Sequence, residues 1–189
     1  MKDKLLFGVV GLVLGIVVVQ FLRPSTPMMM DSSSMDYQFI NQMIPHHEDA
    51  ITMSELALEK AEHEEIKTLA QSIITSQSKE IEQMQGWQKD WFSSLFISKA
   101  LAHGTSHGLN MGLMGNESDL EELGNAQPFD KKFIEEMIPH HQMAVMMAQM
   151  VWNTTNREEM KQLAKNIVTA QNQEIDQMRN WYNQWYKSN

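Results

Sequence analysis

The sequence predicts an all-α protein, a four-helix bundle assembled from two duplicated helical hairpins. Three observations carry this expectation. The run Met-Ile-Pro-His-His stands at 43–47 and again at 137–141, 94 positions later. Around it, residues 36–91 and 130–185 align at that constant offset without gaps, with 24 identities among 56 pairs. Each copy contains two stretches of helical apolar periodicity, and strand signals are essentially missing.

Taken in order, residues 5–22, LLFGVVGLVLGIVVVQFL, form 18 uncharged and mostly apolar positions behind Met1-Lys2-Asp3-Lys4. That length is at the low end of the roughly 17–25 residues a membrane span needs. A secretory signal starts similarly but has a shorter apolar core and a small-x-small cleavage site. No convincing site of that kind is present, so residues 1–23 read as an uncleaved anchor ahead of a cleaved export signal. The early lysines predict a cytoplasmic N-terminus and a translocated remainder. The working domain is thus periplasmic or otherwise extracytoplasmic, held at the inner membrane or secreted after cleavage. Residues 24–35, PSTPMMMDSSSM, read as a flexible tether.

Residues 36–189 then form the bundle, with repeat 1 at 36–92, a loop at 93–129 and repeat 2 at 130–186. Asp36 and Asp130 suit the N-cap of each first helix, because they precede an apolar-periodic run. Those helices should reach about residues 62 and 152. Glu64-Glu65 and Glu158-Glu159 start the second helices, where negative charge suits the positive end of the dipole. These continue to the tryptophan pairs Trp87/Trp91 and Trp181/Trp185. Pro45 and Pro139 sit about two turns inside the first helices, where proline costs roughly 3 kcal/mol or more. A kink that wraps the helix around the core accounts for one such residue. Two of them, each directly before a histidine pair, favour a site at which the kink aims the imidazoles inward. The loop exceeds the roughly 2–8 residues usual in bundles. Its length allows a crossover along the bundle, the topology of ferritin-like folds, or a mobile arm. With that crossover the two histidine pairs would lie at opposite ends, the arrangement favoured here over convergence.

Composition removes several function classes. Fifteen basic against 24 acidic residues give a net charge of −9, so no basic footprint exists to displace counterions from phosphates and nucleic acid is excluded as a partner. Cysteine is absent, which rules out disulfides and thiolate metal sites. Neither a Gly-x-Ser-x-Gly motif nor a phosphate loop occurs, so nucleophilic catalysis has little support. Methionine is abundant, at 17 of 189 residues. Methionine ordinarily fills irregular helical cores, and Met53, Met147 and the Met143/Met146/Met150 series fit that role or a surface one. Methionines that stand beside histidines are a different case.

On a helix, Met43, His46 and His47 share one face, as do Met137, His140 and His141. A short connection makes each hairpin antiparallel, so Met84 and Glu80 approach Met43 and His47. Met178 and Glu174 approach Met137 and His141 in the same way. Each point then gathers two thioethers, imidazoles and a carboxylate. Thioethers are soft ligands that select Cu(I), and imidazole accepts both copper oxidation states. Hard cations require more oxygen ligands, and zinc gains little from methionine. Copper fits best, with Cu(I) preferred to Cu(II). Glu80, Glu174, Gln77 and Gln171 are placed to orient a ligating histidine rather than to bind metal. A di-iron site would need Glu-x-x-His motifs, and none occurs; Met43-x-x-His46 and Met137-x-x-His140 stand instead. In the loop, His103, His107, Met111 and Met114 have spacing compatible with a ligand-bearing helical turn, although the interspersed glycines weaken that helix. The tether methionines Met28, Met29, Met30 and Met35 form a weaker cluster of the same type.

These residues resemble a family of bacterial ferritin-like domains of unknown function. The resemblance rests on M-I-P-H-H followed by x-x-A, then Gln77-x-x-Glu80-Ile81-x-x-Met84-x-x-Trp87, and on the matching run in the second half. It covers nearly all of 36–186 except the loop. The two-copy arrangement behind an export segment is similar to periplasmic copper-binding members of that family. The resemblance implies a four-helix, ferritin-like fold and copper binding for tolerance. It carries metal binding onto the methionines and histidines of both MIPHH runs and onto Met84 and Met178. The halves diverge between motifs, with His63 opposite Arg157 and Asp49 opposite Met143, so the two sites need not be equivalent.

The functional expectation is a non-enzymatic exported protein that sequesters or transfers copper. Its partners are copper ions and a copper exporter or another copper carrier, with membrane association through the N-terminus if that segment is retained. Thioethers in place of thiols suit an oxidising compartment. Two alternatives stand beside it: a redox enzyme of the cuprous oxidase type, and a metal-free helical interaction module that uses methionine-rich faces.

Overall fold

The computed structural model describes residues 32–101 and 117–187. The anchor or signal at 1–23, most of the tether, and the loop residues His103, His107, Met111 and Met114 lie outside the described residues. Five helices are described: α1 (Ser32–Lys60), α2 (Glu64–Leu101), α3 (Glu117–Asn125), α4 (Phe129–Thr154) and α5 (Glu158–Tyr186). No strand occurs among the described residues, and none of these helices is long and apolar enough to cross a membrane.

Each hairpin pairs a first helix with a second, α1 with α2 and α4 with α5, and α1 packs on α4. The core is built in two clusters that exchange the roles of the repeats. In one, Met53, Ala57, Ile66, Leu69, Ala70 and Ile73 at the turn end of repeat 1 bury Phe129, Phe133, Ile134, Met137 and Met178 of repeat 2. In the other, Phe39, Ile40, Met43 and Met84 pack on Ala144, Ala148, Val151, Met160, Leu163 and Ile167. The start of each first helix therefore lies against the turn of the other hairpin, and α1 and α4 run antiparallel. Alanines at 50, 57, 144 and 148 are fully buried, and small side chains here let the helices approach closely.

The two aspartates do not cap the helices they precede. Helix α1 begins a turn earlier than expected, at Ser32, so Met35 and the end of the tether are helical and Asp36 is an interior, buried position. Helix α4 follows Pro128, with no side-chain cap. Asp130 instead accepts hydrogen bonds from the amides of Glu62 (3.0 Å) and His63 (2.8 Å), the residues just before α2 in the other repeat. Asp36 likewise meets the Arg157 Nε at 3.2 Å at the other hairpin's turn. Burial pushes the Asp36 carboxyl up, against the lowering effect of Thr155 and Arg157. The amides just ahead of α2 are thus satisfied across the repeats, whereas ahead of α5 the Arg157 amide donates locally to Thr155 Oγ1.

The described ends of the long connection lie at opposite ends of the bundle. Phe92, where the helical geometry of α2 is interrupted (φ −125°, ψ 15°), packs edge-on against Tyr37 near the start of α1. At the opposite end, Lys60 Nζ donates to the Gly124 carbonyl at 2.8 Å, and Leu123 of α3 is buried in the cluster beside the repeat 1 turn. The segment expected as a crossover or a mobile arm therefore contains a short docked helix at Glu117–Asn125. The tryptophan pairs at the ends of the repeats stack, Trp87 on Trp91 at 4.7 Å and Trp181 on Trp185 at 5.7 Å between ring centroids.

Candidate metal centre

Helices α1 and α4 continue through Pro45 and Pro139. Both prolines are exposed, whereas Met43, His47, Met137, His140 and His141 are buried. Each proline thus lies on the outer face, where water can satisfy the carbonyl it leaves without an amide.

The histidines come together. The ring centroids of His46 and His140 are 3.7 Å apart with an interplanar angle of 40°. Within each pair the rings are 6.5 Å apart in repeat 1 and 6.2 Å in repeat 2. The expected placement of the pairs at opposite ends is therefore wrong, although the first helices do start at opposite ends. His46 is the fifteenth of 29 residues in α1, and His140 the twelfth of 26 in α4. Antiparallel helices that cross near their midpoints bring such positions into contact.

The second helices supply the same partner twice. His47 Nε2 lies 2.7 Å from Glu80 Oε2, and His141 Nε2 lies 2.7 Å from Glu174 Oε2. With neutral imidazoles, Nε2–H donates to the carboxylate and the lone pair is left on Nδ1. Neither Nδ1 has a hydrogen-bond partner. An imidazole oriented by a carboxylate on one nitrogen and unpaired on the other is the arrangement that metal-ligating histidines use. Met43 and Met84 are fully buried in one core cluster, and Met137 and Met178 in the other. The expected approach of the second-helix carboxylates to each motif is present in both repeats.

Unpaired polarity concentrates here. Buried atoms without a partner include both ring nitrogens of His46 and of His140, Nδ1 of His47 and of His141, and Oε1 of Gln77 and of Gln171. Each such group costs roughly 1–3 kcal/mol if nothing satisfies it, so a cluster of this size points to a ligand rather than to packing. Burial lowers the His46 pKa to about 3, helped by the neighbouring His47 and His141 imidazoles. His140 is pushed well below its ordinary value by burial and then by the other three imidazoles. Both rings are neutral at physiological pH, the state in which imidazole binds metal.

Among the described residues, no three histidine, aspartate or glutamate side chains converge as a ready-made cage for a metal ion. The tilted contact of His46 and His140 explains this, since two rings in contact do not aim their nitrogens at one point between them. A hard cation lacks the oxygen cage it needs. The donors that remain are imidazole nitrogens and the buried motif methionines Met43 and Met137, a set suited to a soft ion of low coordination number.

Residues 36–182 match the model of a family described as a domain of unknown function, DUF305. This chain belongs to the DUF305 family. Among solved structures it is similar to CopM in its Cu(I)-bound form, with 46% identity over 80% of this chain and 97% of that one, and a TM-score of 0.67. For CopM in its Cu(II)-bound form the identity is 44% over 80% and 98% of the two chains, with a TM-score of 0.66. A DUF305 fragment from Deinococcus radiodurans is 25% identical over 79% of this chain and 96% of that one, with a TM-score of 0.65. A shorter stretch of 49 residues is 43% identical to an uncharacterized protein of Acanthamoeba polyphaga mimivirus, spanning 26% of this chain and 32% of that protein. The all-α bundle expected from the sequence is thus the DUF305 fold.

Sequence reasoning missed two features of this DUF305 bundle. One is the contact between the two histidine pairs. The other is the exchange of Asp36 and Asp130 between repeats, including His63, whose Nδ1 lies 2.6 Å from Asp130 Oδ2 while its ring stacks on Trp185 at 3.7 Å. The identity of both aspartates at a 94-residue offset was a signal for that exchange, but it reads equally as a repeated N-cap.

Proposed function

We propose that this protein is an exported, non-enzymatic copper carrier that binds Cu(I), and secondarily Cu(II), through methionine and histidine side chains and so contributes to copper tolerance. The observation that carries the reading is the cluster of unpartnered imidazole nitrogens at the crossing of α1 and α4, in a bundle whose motif and second-helix methionines are all fully buried. Its similarity to CopM, solved with Cu(I), Cu(II) and silver bound, agrees with that donor set. The ligands proposed are Met43, His46, His47 and Met84 from repeat 1, and Met137, His140, His141 and Met178 from repeat 2. Glu80 and Glu174 orient His47 and His141, and Gln77 and Gln171 border them. The apolar segment at 5–22 supports export, and the loop group His103, His107, Met111 and Met114 is a secondary capture element.

A Cu(I) competition titration against a chromogenic chelator under reductant tests this. Wild type should hold copper tightly, and replacing His46, His47, His140 and His141 should weaken binding by more than the roughly 10–100-fold that loss of an orienting partner costs. Binding that falls only when the loop group is replaced would move the chemistry out of the bundle. Sustained turnover of Cu(I) with oxygen would favour the oxidase alternative, and no copper binding would favour the metal-free interaction module.

A further inference from the structure

Helix α4 carries more soft donors than its copy, and they do not stay in the core. Among the described residues, the large apolar side chains that remain exposed are Met146 at 50%, Met150 at 53% and Trp152 at 41%. Met146 and Met150 are four residues apart, so their side chains are neighbours on the helix surface, with Cβ atoms about 5–6 Å apart. Met143 and Met147 are partly buried between them and the centre. At 100° per residue, His140, Met147, Met143, Met150 and Met146 occupy one arc of about 120° on α4. Along that arc exposure rises from 3% at His140 to half at Met146 and Met150. Burying a large apolar side chain is worth about 1.5–3 kcal/mol, so two exposed methionines in one place are not explained by packing.

The other repeat sharpens the point. The positions equivalent to Met143, Met146 and Met150 are Asp49, Thr52 and Leu56, none of which offers a thioether. The duplication keeps the buried motif in both halves, but only repeat 2 continues the donors outward. Methionine side chains are unbranched, flexible and polarizable, and two of them one helical turn apart can close on a single soft ion.

We propose that Met146 and Met150, with Met143 beneath them, form a surface Cu(I)-binding site that passes the ion along α4 to His140 and the buried centre. This rests on the copper reading of that centre. The hand-over changes no oxidation state: Cu(I) exchanges one thioether donor for the next and finally for a neutral imidazole, with no proton released.

The test is NMR of the protein labelled at the methionine methyl carbons, titrated with Cu(I) under reductant, together with stopped-flow loading of wild type and of a Met146→Leu/Met150→Leu variant. Leucine conserves volume at these exposed positions, so the fold is retained. The expected result is that the Met146 and Met150 methyl signals shift on copper addition and that the variant loads the centre at least about tenfold more slowly at unchanged final affinity. If Met43, Met84, Met137 and Met178 shift while Met146 and Met150 do not, or if both proteins load equally fast, the relay is wrong and the copper centre stands. If no methionine signal shifts, the copper centre and the relay fall together.

Discussion

The imidazoles of His46 and His140 lie 3.7 Å apart between ring centroids, in contact across the middle of the bundle although 94 positions separate them in the chain. Two copies of one motif therefore build one continuous buried group rather than two remote ones. Each copy brings a second imidazole, a carboxylate at 2.7 Å and a pair of buried methionines. The centre is polar where the core around it is apolar, and this sets its energetic signature.

Removing the central polarity should stabilise the metal-free fold while destroying the site. Both ring nitrogens of His46 and of His140 are buried without partners. A His46→Leu/His140→Leu variant replaces them with apolar groups of similar size, which is stabilising where a polar group was unsatisfied. The apo variant should melt roughly 2–8 °C above wild type, with Cu(I) affinity lost. Scanning calorimetry and chelator competition on the same samples check both halves of the prediction.

Acid should destabilise the apo-protein through the same two residues. His46 falls from an ordinary value of 6.5 to about 3 on folding, and His140 moves in the same direction. The unfolded chain binds more protons than the folded one in that interval. Their contribution is therefore fully present above about pH 6.5 and is lost as pH falls toward 3, at up to about 1.4 kcal/mol per pH unit for each group. Urea midpoints measured from pH 7.5 to 4 should fall in wild type and fall less steeply in the double leucine variant.

The carboxylates should act on affinity through histidine orientation. Glu80→Gln or Glu174→Gln keeps the shape of the side chain but removes the charge opposite Nε2 of His47 or His141. Each change should weaken Cu(I) binding by about 10–100-fold, while far-UV circular dichroism stays as in wild type. Unchanged affinity in both variants would show that the carboxylates only pack.

The clasps between repeats should be unequal. Asp130 receives two amides and the His63 ring, whereas Asp36 meets the side chains of Thr155 and Arg157; each clasp partner also stacks on a tryptophan, His63 on Trp185 and Arg157 on Trp91. Asp130→Ala strands the Glu62 and His63 amides just before α2 and should cost roughly 2–4 kcal/mol. Asp36→Ala removes contacts to side chains and strands neither of those amides, so it should cost less. Equilibrium urea unfolding of the two variants gives the comparison.

The hairpins were legible because apolar periodicity and acidic helix starts are local signals. Glu64-Glu65 and Glu158-Glu159 do open α2 and α5. The meeting of His47 with Glu80 followed from antiparallel pairing alone. The contact of His46 with His140 did not, because it depends on how one hairpin lies on the other. A usable signal was present nonetheless: positions near the middle of two crossing helices meet whichever way the helices run. Asp36 and Asp130 misled for the opposite reason. Their position imitates a local cap, while their hydrogen bonds go to the other repeat's turn. Sequence also distinguished poorly between methionines, since Met53 in the core and Met150 on the surface have the same local context of helical spacing.

X-ray absorption at the copper edge of the Cu(I)-loaded protein tests the central claim most directly, because it reads the donor atoms themselves. The account predicts a first shell of imidazole nitrogen and thioether sulfur together, with the nitrogen contribution collapsing in the His46→Leu/His140→Leu variant. A shell of oxygen donors, or one of sulfur alone that is unchanged in that variant, would contradict it.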